Sequence, residues 1–560
     1  MSDNMEQPEE SGTGSSEEFT DNYQLALLDP RQEMKGDEKQ RLLHESSDQG
    51  SQDQEHLIET DPEKLGNYDE ALEKAGFGKF HVLLVILCGW ANASDAVEIL
   101  SVSFLLPAAE KDLELTSYRK GVLSAIIFVG MLVGGYMWGA LADINGRRRT
   151  LLFSLTTNAF FGLMSSLSQI YWLFLLMRFM SGVGVGGSIP VIFSYCGEFQ
   201  PRQKRGMMIS VVAMFWMAGN IVAAALALVV IPSDIGYSNP DGFSYNSWRI
   251  FVALCTLPAL TSILTFFLMP ESPKYLLENG RADEALEVLK TVYSWNKWDD
   301  RANYPMETLK PSGRSRTLPT DHEGRGSWRD RLIESGENVK ISFRMTAKLF
   351  QKPLTWATVP LLLIIWTISF GYYGLWMWMP QLFLQSETGN GSVCNVSPED
   401  VNTTTGGLQP GDRSIYLDSF YTSLSNLPGN LVAIFLVDVL GRKTLMSASL
   451  LLSGVIVFFI WFVSTRLEVL IVFCCFGGVS VITWNILNVL AVEIYPTHMR
   501  STAFGVQGVV NRVASIVSNL VFGILIQTHC TVNILLVAAL LIFGGLMTFT
   551  LPRTTKISLQ

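Results

Sequence analysis

The sequence predicts an all-α membrane protein of about twelve transmembrane helices arranged as two related six-helix halves. Three observations predict it. Hydrophobic residues make up 48% of the chain and charged residues only 16%, with mean hydropathy +0.27, against roughly 25% charge in soluble domains. The apolar residues gather in runs such as Leu354–Met379 and Val532–Leu551, and about 20 of them in a row span the hydrocarbon core as a helix. Finally, the runs fall into two groups on either side of a long polar stretch, residues 270–353. Inside lipid only helices and closed barrels satisfy their backbone, and these runs lack a barrel's alternation.

Taken in order, residues 1–65 are rich in Glu, Asp, Gln and Ser and poor in aromatics. Such a segment cannot bury enough surface to fold and is expected to be a disordered tail. Residues 67–79 read as a short amphipathic helix leading to the bilayer. By count, residues 1–79 hold 21 acidic against 7 basic residues, so the net charge of −10 is concentrated there and the remainder is slightly positive. The first half follows as runs 80–106, 119–141, 150–168, 170–194, 207–231 and 249–269. After the middle loop 270–353 come 354–381, 416–437, 444–463, 467–491, 501–526 and 531–551. The halves are therefore expected over 80–269 and 354–551, with a short tail, 552–560. No cleavable signal peptide is predicted, because the polar N-terminus delays the first apolar run.

Orientation comes from the short loops. Arg147-Arg148-Arg149, Arg202-Gln203-Lys204-Arg205, Gly441-Arg442-Lys443 and the segment ending at Arg500 occupy every second loop. By the positive-inside rule that side is cytosolic, which puts both termini in the cytosol. The loops 107–118, 232–248 and 382–415 are poorer in Lys and Arg. Three glycosylation sequons, at Asn390, Asn395 and Asn402, lie in the last of these, which agrees with a lumenal loop.

Several functions are excluded. No clustered basic face marks a nucleic-acid footprint. The seven cysteines have no metal spacing, no nucleotide loop or nucleophile constellation appears, and neither enzymatic activity nor a cofactor is expected. Cys394 and Cys530 fall in two loops placed on the oxidising side; whether they pair is left open.

An internal repeat is the most specific signal. Gly139-Ala-Leu-Ala-Asp143-Ile-Asn-Gly146-Arg147-Arg148 lies between the second and third runs, and Leu436-Val-Asp438-Val-Leu-Gly441-Arg442-Lys443 between the eighth and ninth. Glycine can end a helix in a left-handed conformation, and a cationic cluster follows. An Asp at the membrane edge can pair with Arg, or with a helix N-terminus across the interface between halves, latching one conformation. The second copy has Ile434 where the first has Gly139. Glu198 with Arg205, and Glu493 with Arg500, repeat a carboxylate-then-base pattern at the ends of the fourth and tenth runs. The sequence Arg178-x-x-x-Gly182-x-Gly184-x-Gly186-Gly187 supplies small residues for close helix contact.

These motifs resemble those of the major facilitator superfamily. Asp95-Ala-Val-Glu98, Phe104 to Asp112, Gly186 to Pro190, Met214-Phe-Trp216-Met, Phe370-Gly-Tyr-Tyr-Gly374 and Phe476 to Ser480 with Trp484-Asn485 resemble the synaptic vesicle glycoprotein 2 family more closely, over about residues 70–555. The loop between the seventh and eighth runs is short here, whereas vertebrate members of that family have a long repetitive lumenal domain; properties of that domain are not implied.

Asp95 and Glu98 stand three apart on the first run, hence on one helix face. Carboxylates in hydrocarbon are costly, so both should meet a central cavity or a partner. They can take up a proton or hold a cationic group; the alternative is a structural salt bridge, to Arg178 or Arg512. The resemblance implies a basic residue at Arg512, the leading counter-charge, with snorkelling to the interface as its alternative. Trp216, Tyr372, Tyr373, Trp376 and Trp484 lie near mid-depth, where most aromatics are packing residues; the resemblance places Trp216 and Trp484 in the central pocket. Asn488 stands where the resembled family has Asp, which removes a charge.

The tail offers two acidic dileucine patterns, ending in Leu42-Leu43 and Leu57-Ile58, of the kind read by clathrin adaptors. The expected function is alternating-access transport of a small organic solute across a synaptic or secretory vesicle membrane, with lipid as surroundings and a role in regulated exocytosis. The rival expectation is a non-transporting vesicle component acting through cytosolic partners, among which the resemblance implies an exocytic calcium sensor.

Overall fold

A computed structural model describes residues 65–233, 235–238, 243–310, 344–352, 354–388, 393–394 and 413–551. Among the described residues, 12 helices are long and apolar enough to cross a membrane. Spans 1 to 6 are Lys79–Ala108, Ser117–Asn145, Arg147–Leu167, Tyr171–Phe199, Arg205–Val230 and Ser247–Phe267. Spans 7 to 12 are Thr355–Glu387, Ser414–Val437, Arg442–Phe462, Arg466–Ile494, Met499–Leu525 and Cys530–Thr550. The ends bearing Arg147, Arg205 and Arg442 form a basic side. The opposite end carries a disulfide between Cys394 and Cys530, with Cα atoms 5.4 Å apart, and is termed the disulfide side.

Most spans run longer than their apolar runs, because polar residues with bonded backbones extend the helix past the hydrocarbon edge; spans 6 and 12 match their runs in length. Span 6 is broken at Thr256, between helices Ser247–Cys255 and Leu257–Phe267. Pro258 lies in the first turn of the second piece, where its missing N–H costs nothing.

The packing of the two halves matches element by element. Span 1 packs on 5, 4 and 6, while 2 and 3 pack on 4, and 3 on 6; span 7 packs on 11, 10 and 12, while 8 and 9 pack on 10, and 9 on 12. Adding six to each number of the first set yields the second. The seams between halves obey the same rule, since 2 packs on 11, 5 on 8, and 1 on 7. This is the signature of two repeats about a pseudo-two-fold axis.

A small domain covers one corner of the basic side. The helix Tyr68–Ala75 packs against Ala282–Lys297, and Leu65–Gly66 pairs in parallel with Thr308–Leu309. The polar middle stretch therefore contains folded structure over its first part, although its sequence shows no membrane-type run.

Candidate functional site

Span 1 is buried almost all round, which forces its two acids onto partners. Glu98 is 2% exposed and Arg178 0%; Arg178 Nη1 donates to Glu98 Oε1 at 2.5 Å. Ser181 Oγ donates to the same oxygen at 2.6 Å and also reaches Asn158 Oδ1 at 3.0 Å. Gly162 of span 3 lies against this carboxylate: a Cβ built there would sit 3.3 Å from both Glu98 oxygens. Glu98 thus points into the first half, among spans 1, 3 and 4. Asp95, 0% exposed, accepts from Ser188 Oγ of span 4 at 2.6 Å, and its Oδ1 has no partner. Of the readings left open for the pair, the salt bridge describes Glu98, and Asp95 is the buried acid with unused acceptor capacity.

Arg512 is not their counter-charge. Span 1 turns both acids toward span 4, whereas Arg512 stands on span 11 at the seam with span 2. A Cβ built on Gly135 would lie 3.9 Å from its guanidinium, and one on Gly508 3.0 Å from Nη1. Arg512 is partly exposed, its Nε has no partner, and among the described residues it forms no salt bridge.

An aromatic wall stands beside it. Tyr372 stacks on Trp376 at 5.2 Å, and both Tyr372 and Tyr373 meet the Trp484 ring edge-on at 6.1 Å. Tyr373 also crosses to Phe128 of the first half at 5.1 Å. Tyr372 and Trp376 are buried, while Tyr373 and Trp484 are partly open and Trp484 Nε1 lacks a partner. Asn488, one turn from Trp484 on the same helix face, is exposed. Trp216 is half-buried on span 5 and packs against the same apolar core.

The seams close on the disulfide side. Lys120, 2% exposed, joins Glu110 at 2.7 Å and donates to Gln381 of span 7 at 3.1 Å. Ser103 donates to Trp376 O at 3.1 Å. Spans 2 and 11 cross at Gly121 and Gly523, where a Cβ on Gly121 would sit 2.8 Å from the Gly523 Cα. One turn beyond Gly135 and Gly508 toward the basic side, at Gly139 and Gly505, an added Cβ would meet nothing within 4 Å. The two helices therefore touch on one side and diverge on the other.

Among the described residues, the repeated loop motif makes matching contacts in both halves. Gly146 and Gly441 end spans 2 and 8 at φ +98° and +79°; with ψ of 161° and 149°, both occupy an extended positive-φ region open in practice to glycine, rather than the left-handed helical region expected. Arg147 donates to Glu198 at 3.3 Å and Asp143 at 2.6 Å, and Arg442 donates to Glu493 at 3.1 Å. The second base of each motif caps the end of the sixth helix of its half. Arg148 bonds Phe266 O at 3.1 Å and Phe267 O at 2.6 Å; Lys443 bonds Phe549 O at 2.7 Å and Leu551 O at 2.6 Å. Arg205 and Arg500 instead reach backbone carbonyls, Gln200 O at 3.3 Å and Val492 O at 2.8 Å. Every one of these bonds lies within a half; the pairing across the interface considered for Asp143 is absent here.

Sequence reasoning missed Asn296, which braces the small domain onto span 1. Its Nδ2 bonds Gly76 O at 2.8 Å and its Oδ1 accepts from Phe80 N at 3.1 Å. His81 lies 3.2 Å from the same amide and 2.9 Å from Phe199 O. Tyr68 OH donates to Glu198 O at 2.5 Å, and its burial raises its pKa well above the usual phenol value. An asparagine in a polar stretch carries no sequence signal for such a role. The sequons at Asn390, Asn395 and Asn402, the dileucine residues Leu42, Leu43, Leu57 and Ile58, and the side chains of Asp438 and Ile434 lie outside the described residues.

Residues 88–560 match the family described as sugar (and other) transporter. Synaptic vesicle glycoprotein 2C of Rattus norvegicus is 32% identical, with 88% of this chain and 81% of that one covered. Synaptic vesicle glycoprotein 2B of Homo sapiens is 31% identical, covering 89% and 87%, and synaptic vesicle glycoprotein 2A of Rattus norvegicus 32%, covering 89% and 81%. The partially occluded inward open conformation of the xylose transporter XylE from E. coli aligns with TM-score 0.62 at 14% identity, over 86% of this chain and 99% of that one. The major facilitator superfamily proton:xylose symporter XylE bound to 6-bromo-6-deoxy-D-glucose aligns at 0.57 and 16%, over 85% and 96%. At these identities the structural likeness shows the fold alone.

Proposed function

Since the chain belongs to the sugar (and other) transporter family of the major facilitator superfamily, in the synaptic vesicle glycoprotein 2 branch, we propose that it carries a small organic solute across a vesicle membrane by alternating access. The observation that carries this reading is the seam between spans 2 and 11. It is closed at Gly121 and Gly523 and open at Gly139 and Gly505, which is the shape of one end state of a rocking transporter. With the basic side facing the cytosol, this state opens inward. Arg512, Trp484, Tyr373, Asn488 and Trp216 border the opened face and offer charge, rings and an amide to a solute. Tyr372 and Trp376 back the rings. Asp95 is the proton-carrying group: it has one free acceptor oxygen and, unlike Glu98, no cation bonded to it.

Reconstitution into proteoliposomes tests this. Solutes that raise the protein's thermal stability are offered for uptake with and without a proton gradient. Uptake that Asp95→Asn uncouples from the gradient supports the reading; solutes that bind yet never enter refute it. One observation favours the second reading, a non-transporting vesicle component. Glu98 is already held by Arg178 and Ser181, so half of the acidic pair is committed to structure. Deleting residues 1–65 separates the two: vesicle trafficking or release fails under the second reading, and solute flux in liposomes persists under the first.

A further inference from the structure

We propose that the solute carries an anionic group, a carboxylate or its equivalent, which docks on Arg512 with the body of the molecule against Trp484 and Tyr373. The inference rests on the transport reading and narrows it to a substrate class.

Charges near mid-membrane are few and their bookkeeping is nearly complete. Glu98 and Arg178 cancel each other within the first half. Lys120 is taken by Glu110 and Gln381 toward the disulfide side. Arg249 donates to the carbonyls of Ser166 and Ser168. Arg512 is the cation left over among the described residues. Among the described residues the one titratable side chain close enough to act on it is the Tyr373 phenol, which carries no charge at neutral pH. Asp95 is engaged by Ser188 and by the field of Glu98 instead. Spans 2, 5, 7 and 11 bring no other carboxylate to this depth, because their acids, Asp143 and Glu387, sit at the ends. On span 10 the residue one turn beyond Trp484 is Asn488, a neutral amide.

A guanidinium held in this setting without a partner is costly, and a purely structural arginine would be expected to cap carbonyls as Arg249 does. Its surroundings keep it reachable. Gly508 and Gly135, lacking side chains, make room for the guanidinium itself, which remains partly exposed, and Gly505, one turn further along the same face, borders open space. The guanidinium presents a planar fork of donors that matches a carboxylate. The neighbouring rings of Tyr373 and Trp484 are partly open, so a flat apolar body fits beside the anion. An anionic lipid headgroup offers the same charge. The rings favour a water-borne aromatic or otherwise planar solute.

The test uses the purified full chain in neutral phosphatidylcholine nanodiscs. Thermal stabilisation is measured with benzoate, nicotinate and indole-3-acetate, each against its neutral amide. At least one acid is expected to bind selectively. Arg512→Met should weaken it by roughly tenfold or more, the worth of a charge-assisted pair, and Arg512→Lys should restore part. Without ligand, Arg512→Met is expected to be at least as stable as the wild type, since it removes an unpaired charge. Acids and amides that behave alike, no stabilisation by any acid, or selectivity that survives in Arg512→Met each overturn the proposal. So does Arg512-dependent stabilisation seen only when phosphatidylglycerol is added. Binding and flux separate the two readings. Arg512-dependent binding of an acid that never enters liposomes upholds the anion site and refutes transport; uptake of a neutral solute that Arg512→Met leaves intact does the reverse.

Discussion

Breaking the Glu98–Arg178 pair should be far more damaging than removing both partners. At 2.5 Å and an effective dielectric of about 20, two unit charges attract by roughly 7 kcal/mol. Burying the two ions costs several kcal/mol each, so the intact pair is close to neutral. The asymmetry appears when one partner goes. Arg178 is fully buried, and its Nε and Nη2 already lack hydrogen-bond partners, so Glu98→Gln strands a cation whose remaining neighbour is the Phe174 face at 5.3 Å. The expected loss is about 3–5 kcal/mol. Glu98→Gln with Arg178→Met removes both charges, keeps an acceptor for Ser181, and should recover at least half of that loss. The assay is the thermal midpoint of monodisperse protein in detergent, read by size exclusion at a fixed heating schedule because unfolding is irreversible. A double variant as unstable as the sum of the singles would refute the reasoning, since it would mean the groups do not sense each other.

Four further outcomes follow from the geometry. Ser188→Ala leaves Asp95 without its hydroxyl donor and should destabilise by about 1–3 kcal/mol; an unchanged thermal midpoint would show that Asp95 is neutral and needs no donor. Gly121→Val drives a side chain into Gly523 and the Asn519 carbonyl; the strain, of order 1–3 kcal/mol, should loosen the disulfide-side closure, read as faster thiol labelling of a cysteine placed at Gln381. Cys394→Ser with Cys530→Ser should cost about 2–4 kcal/mol, and wild-type protein should gain two maleimide-reactive thiols on reduction in denaturant. Arg147→Gln and Arg442→Gln should add within about 0.5 kcal/mol, because their partners lie in different halves; a strong coupling measured by the double-mutant cycle would contradict half-internal wiring.

Much of the fold was legible because hydrocarbon thickness leaves one dominant length for an apolar run, and twelve such runs with a long polar stretch between the sixth and seventh fit two halves. The motif copies at Gly146 and Gly441 were legible as a repeat because they lie in equivalent loops. What stayed hidden depends on how spans rotate about their own axes. Spacing puts Asp95 and Glu98 on one face of span 1, yet only packing decides that the face meets Ser188, Arg178 and Ser181 on span 4. The same reasoning explains Arg512, whose residue type announces a functional charge but whose side of span 11 is set by packing beside Gly135 of span 2. The small domain was invisible for another reason. Tyr68–Ala75 was legible as a short amphipathic helix, but its partner was not: Ala282–Lys297 packs against it and also against Pro273–Glu278, Thr308–Leu309 and span 1, contacts that join segments far apart in sequence.

The wiring of the repeated motif bears on what moves. Arg147 and Arg442 fasten the loop after the second helix of each half to the end of its fourth, at Glu198 and Glu493. Arg148 and Lys443 fasten the same loop to the end of its sixth. Three helix ends are tied together on each side of the pseudo-axis, and none of these ties crosses it. Each half is thereby stiffened as a unit on the basic side, where helix ends otherwise fray. The proposed rocking then has to break contacts that do cross, among them Lys120 to Gln381, Ser103 to Trp376, Phe128 to Tyr373, and the glycine crossing of spans 2 and 11. Apart from the first two, these are van der Waals and ring contacts that re-form at a new register without stranding a charge. A state open on the disulfide side would bring Gly139 and Gly505 together, and the absence of a side chain at either position permits that closure.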